Sequence, residues 1–340
     1  MTLIISEIKT DGYERVVEFT DDTGFQCYIA IHNTSCGPGL GGCRVKSYAS
    51  NENAFTDVLR LSKGMTYKSA LAGLNFGGAK MVINAPKATR EIMLKAGECV
   101  EYFDGQYITA EDVGTTLDQV HIMREVTQHT AQLDGSSMTA RGVVVCMRAA
   151  LKYQNKWGDM PLGMPVWVQG LGKVGMDVAH RLDALNTIPR TLHGLDLYVS
   201  DLRPEAIKEA EEFGAREITE DDKRFIEIYS PCAMGQVIND TNVNSTKYSI
   251  ICGSANNQLV DESYAEILQN NGVIYVPDYL CNSGGVINAA MEIGVEFDQE
   301  ACEKATDAIG DKLLEVFAIA KEENITPLAA ANKLAESRFI

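Results

Sequence analysis

At 340 residues, 45% of them hydrophobic and 23% charged, the chain is long enough for two domains with sizeable cores, and its ordinary composition excludes disordered and fibrous classes. A formal net charge of −17 without basic runs argues against nucleic acid or an anionic membrane surface as a partner. The nine cysteines stand singly, with no Cys-x-x-Cys pair and no clustered histidines, so no disulfide framework and no metal site are expected, and a reducing cytoplasm is the expected location. No basic, long apolar start and no run of about 18 apolar residues is present, so neither secretion nor a membrane span is expected.

The first residues alternate apolar and polar, as in Tyr13-Glu14-Arg15-Val16-Val17-Glu18-Phe19 and Cys27-Tyr28-Ile29-Ala30-Ile31, which predicts two strands joined by a hairpin turn at Asp22-Thr23-Gly24. A glycine-dense loop follows, Gly37-Pro38-Gly39-Leu40-Gly41-Gly42-Cys43-Arg44. Its bare backbone N–H groups suit a small anion, and a flexible turn is the alternative. From Ser50 the period becomes helical, with Ala54, Val58, Leu61 and Met65 at three- and four-residue steps and Lys63 and Lys68 on the same stretch. Asn75-Phe76-Gly77-Gly78-Ala79-Lys80 breaks the helix and leads into a strand at Met81-Val82-Ile83. Residues 89–104 read as a further helix, and Tyr107-Ile108-Thr109-Ala110 as a short strand. That strand ends in an acid, a glycine and two hydroxyls, Glu111-Asp112-Val113-Gly114-Thr115-Thr116, which suits a site better than a core. Gly135-Ser136-Ser137 is the best domain boundary, and an Ala- and Val-rich helix runs from Thr139 to about Tyr153.

The next stretch organises the second half. An apolar strand at Pro165–Gln169 turns through Gly170-Leu171-Gly172-Lys173-Val174-Gly175 into a helix marked by Val174, Val178 and Leu182. The first glycine permits the tight turn, the second lets backbone approach a pyrophosphate, and the third lets helix pack on strand. Phosphate charge is then received by the open N–H groups of the helix start. A second strand, Leu195–Ser200, ends at Asp201, where an acid can accept the hydroxyls of an adenosine ribose. Three more strand-like runs each end in small or polar residues: 225–229 before Ser230-Pro231-Cys232-Ala233, 248–252 before Gly253-Ser254-Ala255-Asn256-Asn257, and 273–276 before Pro277-Asp278. In a parallel sheet such endings line one crevice. With a dinucleotide on one domain, the other must supply substrate and acid–base groups, and its candidates are Lys68, Lys80 and Asp112. Two lysines near each other depress one another's pKa, so one can act as a base while the other holds an anion.

Six stretches in order carry a family resemblance: Gly37–Gly42, Lys63-Gly64-Met65-Thr66-Tyr67-Lys68, Gly77-Gly78-Ala79-Lys80, Thr109–Thr116, Gly253–Leu259 and Asn282-Ser283-Gly284-Gly285-Val286-Ile287-Asn288. Together they resemble the glutamate/leucine/phenylalanine/valine dehydrogenase superfamily, and most of all its leucine and phenylalanine branch. The resemblance implies an α/β protein of two domains flanking a cleft: an N-terminal α/β substrate domain, 1–138 with 326–340 returning to it, and a Rossmann NAD-binding domain, 139–325. It implies oxidative deamination of an L-amino acid to its 2-oxo acid and ammonia with NAD as cofactor, in a homo-oligomer. Lys68 would bind the substrate carboxylate with the backbone of Gly41 and Gly42, Lys80 would activate water, and Asp112 would relay protons. Thr139, Pro231, Cys232, Ala233, Ser254, Ala255 and Asn256 would touch the cofactor, and Asn257 the substrate. Relative to the family pattern, the loop after Leu133 is shorter and the link between Leu182 and Leu195 is longer. The family's C-terminal extension typical of octameric leucine enzymes has no counterpart after Leu334.

By the same resemblance the side-chain pocket is lined by Leu40, Ala110, Val286 and Ala289, all apolar. The glutamate branch has a lysine at the position of Leu40 to pair a side-chain carboxylate, and a leucine there cannot. Branched-chain members usually carry valine where Ala289 stands, whereas aromatic-specific members tend to carry glycine in place of Ala110. The pocket is mixed and implies a bulky or aromatic side chain ahead of valine, with a branched-chain enzyme as the alternative. Arg203, two residues past Asp201, could partly offset that acid's repulsion of a 2′-phosphate. A non-catalytic sensor on the same scaffold is the reading of a different class; it would need neither a base nor a proton relay.

Overall fold

The computed structural model describes residues 3–154, 164–185 and 195–340; the long link expected before Leu195 falls largely in residues outside these. The chain forms two units, one of Met1–Asp134, Val286–Asp298 and Ala335–Ile340, the other of Gly135–Gly285 and Gln299–Leu334. The sequence reading draws the boundary at 138/139 and the return at 326, and gives 286–298 to the second domain. In the structure the switch falls at Gly135, the return begins at Ala335, and 286–298 belongs to the first unit. The physical reason is packing: Val286 and Ala289 are buried with Leu40, Ile108 and Ala131, and the Glu292 carboxylate accepts the backbone N–H groups of Gln132 (2.8 Å) and Leu133 (3.1 Å).

In chain order the first unit contains β1 (Ile4–Glu7), β2 (Arg15–Thr20), β3 (Gln26–Asn33), β4 (Gly39–Leu40), β5 (Cys43–Lys46), α1 (Asn51–Leu71), β6 (Gly77–Asn84), α2 (Arg90–Glu101), β7 (Tyr107–Ile108) and α3 (Leu117–Met123). Among the described residues these strands make one mixed sheet in the order β1-β2-β3-β6-β4-β7, with β5 also on β6. The antiparallel β2–β3 hairpin forms where alternation predicts it. Strand β6 starts four residues before the expected Met81, because β3 pairs with it back to Gly78 and β4 back to Gly77.

The period-two rule sorts the core of this unit. Cys27, Ile29 and Ile31 of β3 and Ala79, Met81 and Ile83 of β6 bury one face against Met93, Ala96, Cys99 and Val100 of α2. Tyr28, Ala30 and Val82 bury the other face against Ala54 and Val58 of α1. Lys80 alternates with Ala79 and Met81, so it lies on the α1 face together with Gly78 and Val82. Ser50 caps α1 by accepting the Asn53 N–H (3.2 Å). The C-terminal return is tied to the far end of α1: an Arg338 guanidinium N–H donates to Ala70 O (2.7 Å) and the Tyr67 hydroxyl to Glu336 (2.6 Å).

The second unit contains α4 (Ser136–Tyr153), β8 (Met164–Gln169), α5 (Lys173–Ala184), β9 (Leu195–Ser200), α6 (Pro204–Glu212), β10 (Arg216–Glu217), β11 (Ile228–Pro231), β12 (Ile250–Ile251), α7 (Tyr264–Asn270), β13 (Ile274–Tyr275) and α8 (Asp278–Cys281). The helices α9 (Gly284–Met291), α10 (Gln299–Glu323) and α11 (Pro327–Glu336) complete the chain; α9 and α11 carry it from the second unit into the first. Strands β8 to β13 are all parallel, in the order β10-β9-β8-β11-β12-β13. Numbered from β8 this is 3-2-1-4-5-6, the order of a doubly wound dinucleotide-binding sheet, whose ligand crevice opens where the order reverses, between β8 and β11. Strand β11 runs to Pro231 instead of ending at Tyr229, because Ser230 and Pro231 pair with Val168 and Gln169 of β8.

The α1–β6 contact is close because residue 78 has no side chain: a Cβ on Gly78 would overlap the backbone nitrogen and hydroxyl of Thr66. Replacing Gly78 by Ala must separate helix from strand, at a cost of roughly 1–3 kcal/mol for an overpacked core. A urea denaturation midpoint lowered by that amount is expected, and an unchanged midpoint would show that α1 is free to shift.

Candidate active site

The glycine loop places its residues by pairing on both sides. Leu40 pairs with Gly78 of β6 and Ile108 of β7, and Cys43 donates its N–H to Ala110 O (2.8 Å). Side chains would not fit here: a Cβ on Gly41 would overlap Ala79 O, and one on Gly42 would stand 2.6 Å from Glu111 O. The Gly41 N–H is donated to Ile108 O (3.2 Å) and its carbonyl accepts the Tyr107 hydroxyl (2.8 Å). Of the two glycines expected to hold an anion through backbone, Gly41 therefore has its N–H committed to the sheet.

Lys80 and Asp112, separated by 32 residues in sequence, meet as an ion pair with Lys80 Nζ 3.0 Å from Asp112 Oδ2. Lys80 is 5% exposed, deep for a lysine, and tolerated because it is paired. Burial pushes the Asp112 carboxyl up, but the Lys80 ammonium and the Arg44 guanidinium outweigh it and hold the group at about 2. Asp112 is thus a carboxylate throughout the working range. The Thr115 hydroxyl accepts the Asp112 N–H (2.8 Å) and donates to Cys43 O (2.8 Å), closing the turn that presents the acid. Lys68, half-buried in the last turns of α1, lies on the helix that covers the Lys80 face of β6.

Beside these charges is an apolar cluster. Leu40, Ile108, Ala131, Val286 and Ala289 are buried together, with Ala110, Met65, Phe76 and Ile293 packed on them. All four pocket residues expected from sequence are members. The cluster adjoins the charged set through the chain itself: Leu40 precedes Gly41, Ala110 stands two residues before Asp112, and Met65 is one helical turn before Lys68. Val286 and Ala289 arrive from α9, more than 150 residues later, and Ile108, Ala131, Met65, Phe76 and Ile293 carried no role in the sequence reading.

In the second unit the Gly170–Gly175 turn has the three features a pyrophosphate needs. Gly170 has φ of 93° and would overlap Ala233 with a Cβ; a Cβ on Gly175 would overlap Gly170 O; and Gly172, at the start of α5, has nothing within 4 Å of its Cβ position. That open space in front of a helix N-terminus fits a phosphate group. Lys173 and Val174 open the helix. Asp201 follows β9 and is held on both oxygens: Oδ2 accepts the Leu171 N–H (2.6 Å), and Oδ1 accepts Arg203 N (2.9 Å) and Nε (3.1 Å). Arg203 also donates to Leu171 O (2.7 Å).

The other cofactor candidates of this unit converge on the same sheet edge. Cys232 donates its N–H to Gln169 O (2.7 Å) and Ala255 to Pro231 O (2.9 Å), so Pro231, Cys232 and Ala233 lie between the glycine turn and the Ser254-Ala255-Asn256 loop. The fully buried Gln258 ties that loop with Nε2 to Gly253 O (2.7 Å) and Ala255 O (3.0 Å). Its N–H is received by Asp278 (2.9 Å). Asn282, buried and unassigned from sequence, donates to Ser254 O (3.1 Å) and Asn256 Oδ1 (2.8 Å). Asn257 takes a left-handed φ of 52°, and Thr139, in the first turn of α4, donates its hydroxyl to Gly135 O (2.9 Å).

Two family models match end to end: Glu/Leu/Phe/Val dehydrogenase, dimerisation domain, over residues 13–129 and Glutamate/Leucine/Phenylalanine/Valine dehydrogenase over 131–339. The chain belongs to the Glu/Leu/Phe/Val dehydrogenase family. It is 41% identical to a leucine dehydrogenase of Thermoactinomyces intermedius, over 99% of this chain and 93% of that one. A phenylalanine dehydrogenase of Caldalkalibacillus thermarum is 37% identical over 96% and 91%. The crystal structure of L-tryptophan dehydrogenase from Nostoc punctiforme superposes with a TM-score of 0.81 at 36% identity, covering 96% of each chain. This family member is an amino-acid dehydrogenase using a pyridine nucleotide, with the two-domain α/β fold of that family.

Proposed function

We propose that the chain catalyses reversible oxidative deamination of hydrophobic L-amino acids to 2-oxo acids and ammonia, with NAD as hydride acceptor and a bulky or aromatic side chain favoured. The observation that carries this reading is the buried Lys80–Asp112 pair adjoining a cluster built only of apolar side chains. A charged substrate side chain would be buried there without a partner. The relatives' names, leucine, phenylalanine and L-tryptophan dehydrogenase, support an apolar substrate; the leucine enzymes support a branched-chain one as the second reading. A homo-oligomer is proposed with it, in keeping with the family description of residues 13–129 as a dimerisation domain.

The chemistry follows from the groups. Lys68 and the backbone of Gly42 hold the substrate carboxylate, with Asn257 as a further substrate contact. Gly170–Gly175 and Asp201, with Thr139, Pro231–Ala233 and Ser254–Asn256, would hold a nicotinamide dinucleotide, which would supply a hydride acceptor for Cα. What remains at carbon is an iminium, and a water must lose a proton to add to it; Lys80 is the base. Asp112, already ionised beside it, moves a proton to and from the substrate nitrogen, so that nitrogen departs as ammonia.

Lys80→Ala is expected to lower kcat at least ~10²-fold, the usual scale of acid–base loss, whereas Lys68→Ala acts mainly through KM. Steady-state kinetics with near wild-type turnover in Lys80→Ala would end this mechanism. For the cofactor, Asp201 at the end of β9 repels a 2′-phosphate, and Arg203 is occupied by Asp201 and Leu171 O, so kcat/KM for NAD is expected to exceed that for NADP. Equal values would show that Arg203 leaves its partners to meet the phosphate.

Ala289 is a wall of the apolar cluster, and valine there adds two methyl-sized groups, each worth about 0.8 kcal/mol of contact. The resulting ~1.6 kcal/mol moves preference on the order of tenfold. Comparing kcat/KM for phenylalanine, tryptophan, leucine and valine, Ala289→Val should shift the enzyme toward the branched-chain substrates. A profile untouched by the substitution would remove residue 289 from the pocket.

A further inference from the structure

Beside the acid–base set lies a largely buried cation without a part in it. Arg44, on β5 directly after the glycine loop, has its side chain only 13% exposed. Its Nε donates to Asp112 Oδ2 at 2.9 Å, the same oxygen that Lys80 Nζ meets at 3.0 Å. Both cations thus converge on Oδ2, and neither bond uses Oδ1. The other edge of the guanidinium donates through NH1 to Asp57 Oδ2 on α1 (3.0 Å). Asp57, 11% exposed, is itself fixed by the Tyr48 hydroxyl (2.7 Å) and by Arg60 (3.0 Å).

We propose that Arg44, backed by Asp57, is a positioning residue that fixes the Asp112 carboxylate and remains its counter-cation when Lys80 gives up its proton. The proposal rests on the reading of Asp112 as the proton relay. A planar guanidinium bonded along two edges to two carboxylates cannot turn without breaking both ion pairs, so it sets a rotamer in a way a single ammonium does not. It also keeps its proton at every accessible pH. Lys80 must pass through a neutral state to act as a base; at that moment a buried Asp112 facing Lys80 alone would lose its only cation, and burial would drive it to bind a proton. With Arg44 in place the carboxylate stays ionised through the cycle, and Oδ1 is presented to the substrate nitrogen.

The other titratable neighbours do not substitute for it. Cys43 on β5 and Tyr107 on β7 are both pushed upward, first by burial, so both are neutral in the working range. Lys80 from β6 and Arg44 from β5 are the cations that hold Asp112 at about 2, with Asp57 of α1 acting on it through Arg44. Thr115 fixes the acid's backbone, which leaves the carboxylate's orientation to Arg44 and Lys80.

The test is the pH dependence of kcat for the full-length enzyme and its Arg44→Gln, Arg44→Lys, Asp57→Asn and Asp112→Asn variants, each assayed with the best of the four substrates above. The active form has Lys80 neutral and Asp112 ionised, so the acidic limb of the kcat profile belongs to the pair; removing the neighbouring cation disfavours that net-anionic form, and the limb must move to higher pH. In Arg44→Gln a shift of about one unit is expected, the low end of what an adjacent opposite charge supplies. A kcat loss on the order of tenfold or more should accompany it, the scale of a misplaced catalytic group. Arg44→Lys should recover part of both, whereas Asp57→Asn keeps the cation but frees its guanidinium, so kcat should fall without an upward move of the limb. Thermal melting and NADH fluorescence report whether each variant is folded and still binds cofactor. A folded Arg44→Gln whose acidic limb stays put, with or without a uniform fall in kcat, overturns the proposal. If Arg44→Gln does not fold, an unmoved limb in Arg44→Lys together with wild-type kcat in Asp57→Asn overturns it. Wild-type turnover in Asp112→Asn would instead remove the relay on which it rests, whereas an inactive Asp112→Asn beside an unmoved Arg44→Gln fails Arg44 alone.

Discussion

One carboxylate oxygen, Asp112 Oδ2, stands between two buried cations, 3.0 Å from Lys80 and 2.9 Å from Arg44. Much of the first unit is the apparatus for holding it there. Three sheet residues must come together from β5, β6 and the turn after β7, and the glycines of the loop before β5 allow that approach because a side chain at 41 or 42 would meet neighbouring backbone. Gly78 performs the same service on the opposite side, letting α1 close over the face that carries Lys80. Buried charge is costly unless it is paired and hydrogen-bonded. Here each charge finds its opposite in turn, from Lys80 through Asp112, Arg44 and Asp57 to Arg60, and the last arginine, 52% exposed, is the most open to solvent.

The second unit meets a different demand with different means. Its crevice is made by strand ends, where small residues let three loops pack edge to edge without filling the opening. Gln258 and Asn282 hold those loops by their amides, neutral groups that stiffen backbone without adding charge near a phosphate site. On the proposed function the two halves divide the labour of the reaction: one concentrates paired ionic groups around the proton-transfer residues, and the other would seat a dinucleotide in the open space before the start of α5.

Legibility in the sequence tracked the range of the interactions. The β2–β3 hairpin, the capped helix α1 and the strand–glycine–helix unit at 164–184 are local, and their residues announce them within a few positions. Lys80, Asp112 and Lys68 were legible as residue types at the ends of elements, and their functional order came from the family resemblance. An arginine after a glycine run has no local signature, and the contacts of Arg44 with Asp57 and Asp112 are tertiary. The short strands β12 and β13 and the shifted start of β6 reflect pairing with partners far along the chain, which apolar runs alone do not report. The allocation of 286–298 was missed for the same reason, since nothing near Val286 marks Leu40 and Ile108 as its neighbours.

That allocation bears on how the protein is made and how it can be rebuilt. The apolar cluster of the first unit has two walls separated in synthesis by Gly135–Gly285 of the second unit: Leu40, Ile108 and Ala131 emerge early, and Val286 and Ala289 come only with α9. A nascent chain that has folded its first sheet still carries an uncovered apolar patch until residue 298 has left the ribosome, a surface of the kind that recruits chaperones or sticks to its like. A chimera that exchanges the nucleotide-binding unit between relatives must likewise carry residues 286–298 with the first unit. Joined at 134/135 alone, it would combine one parent's acid–base set with the other parent's pocket wall.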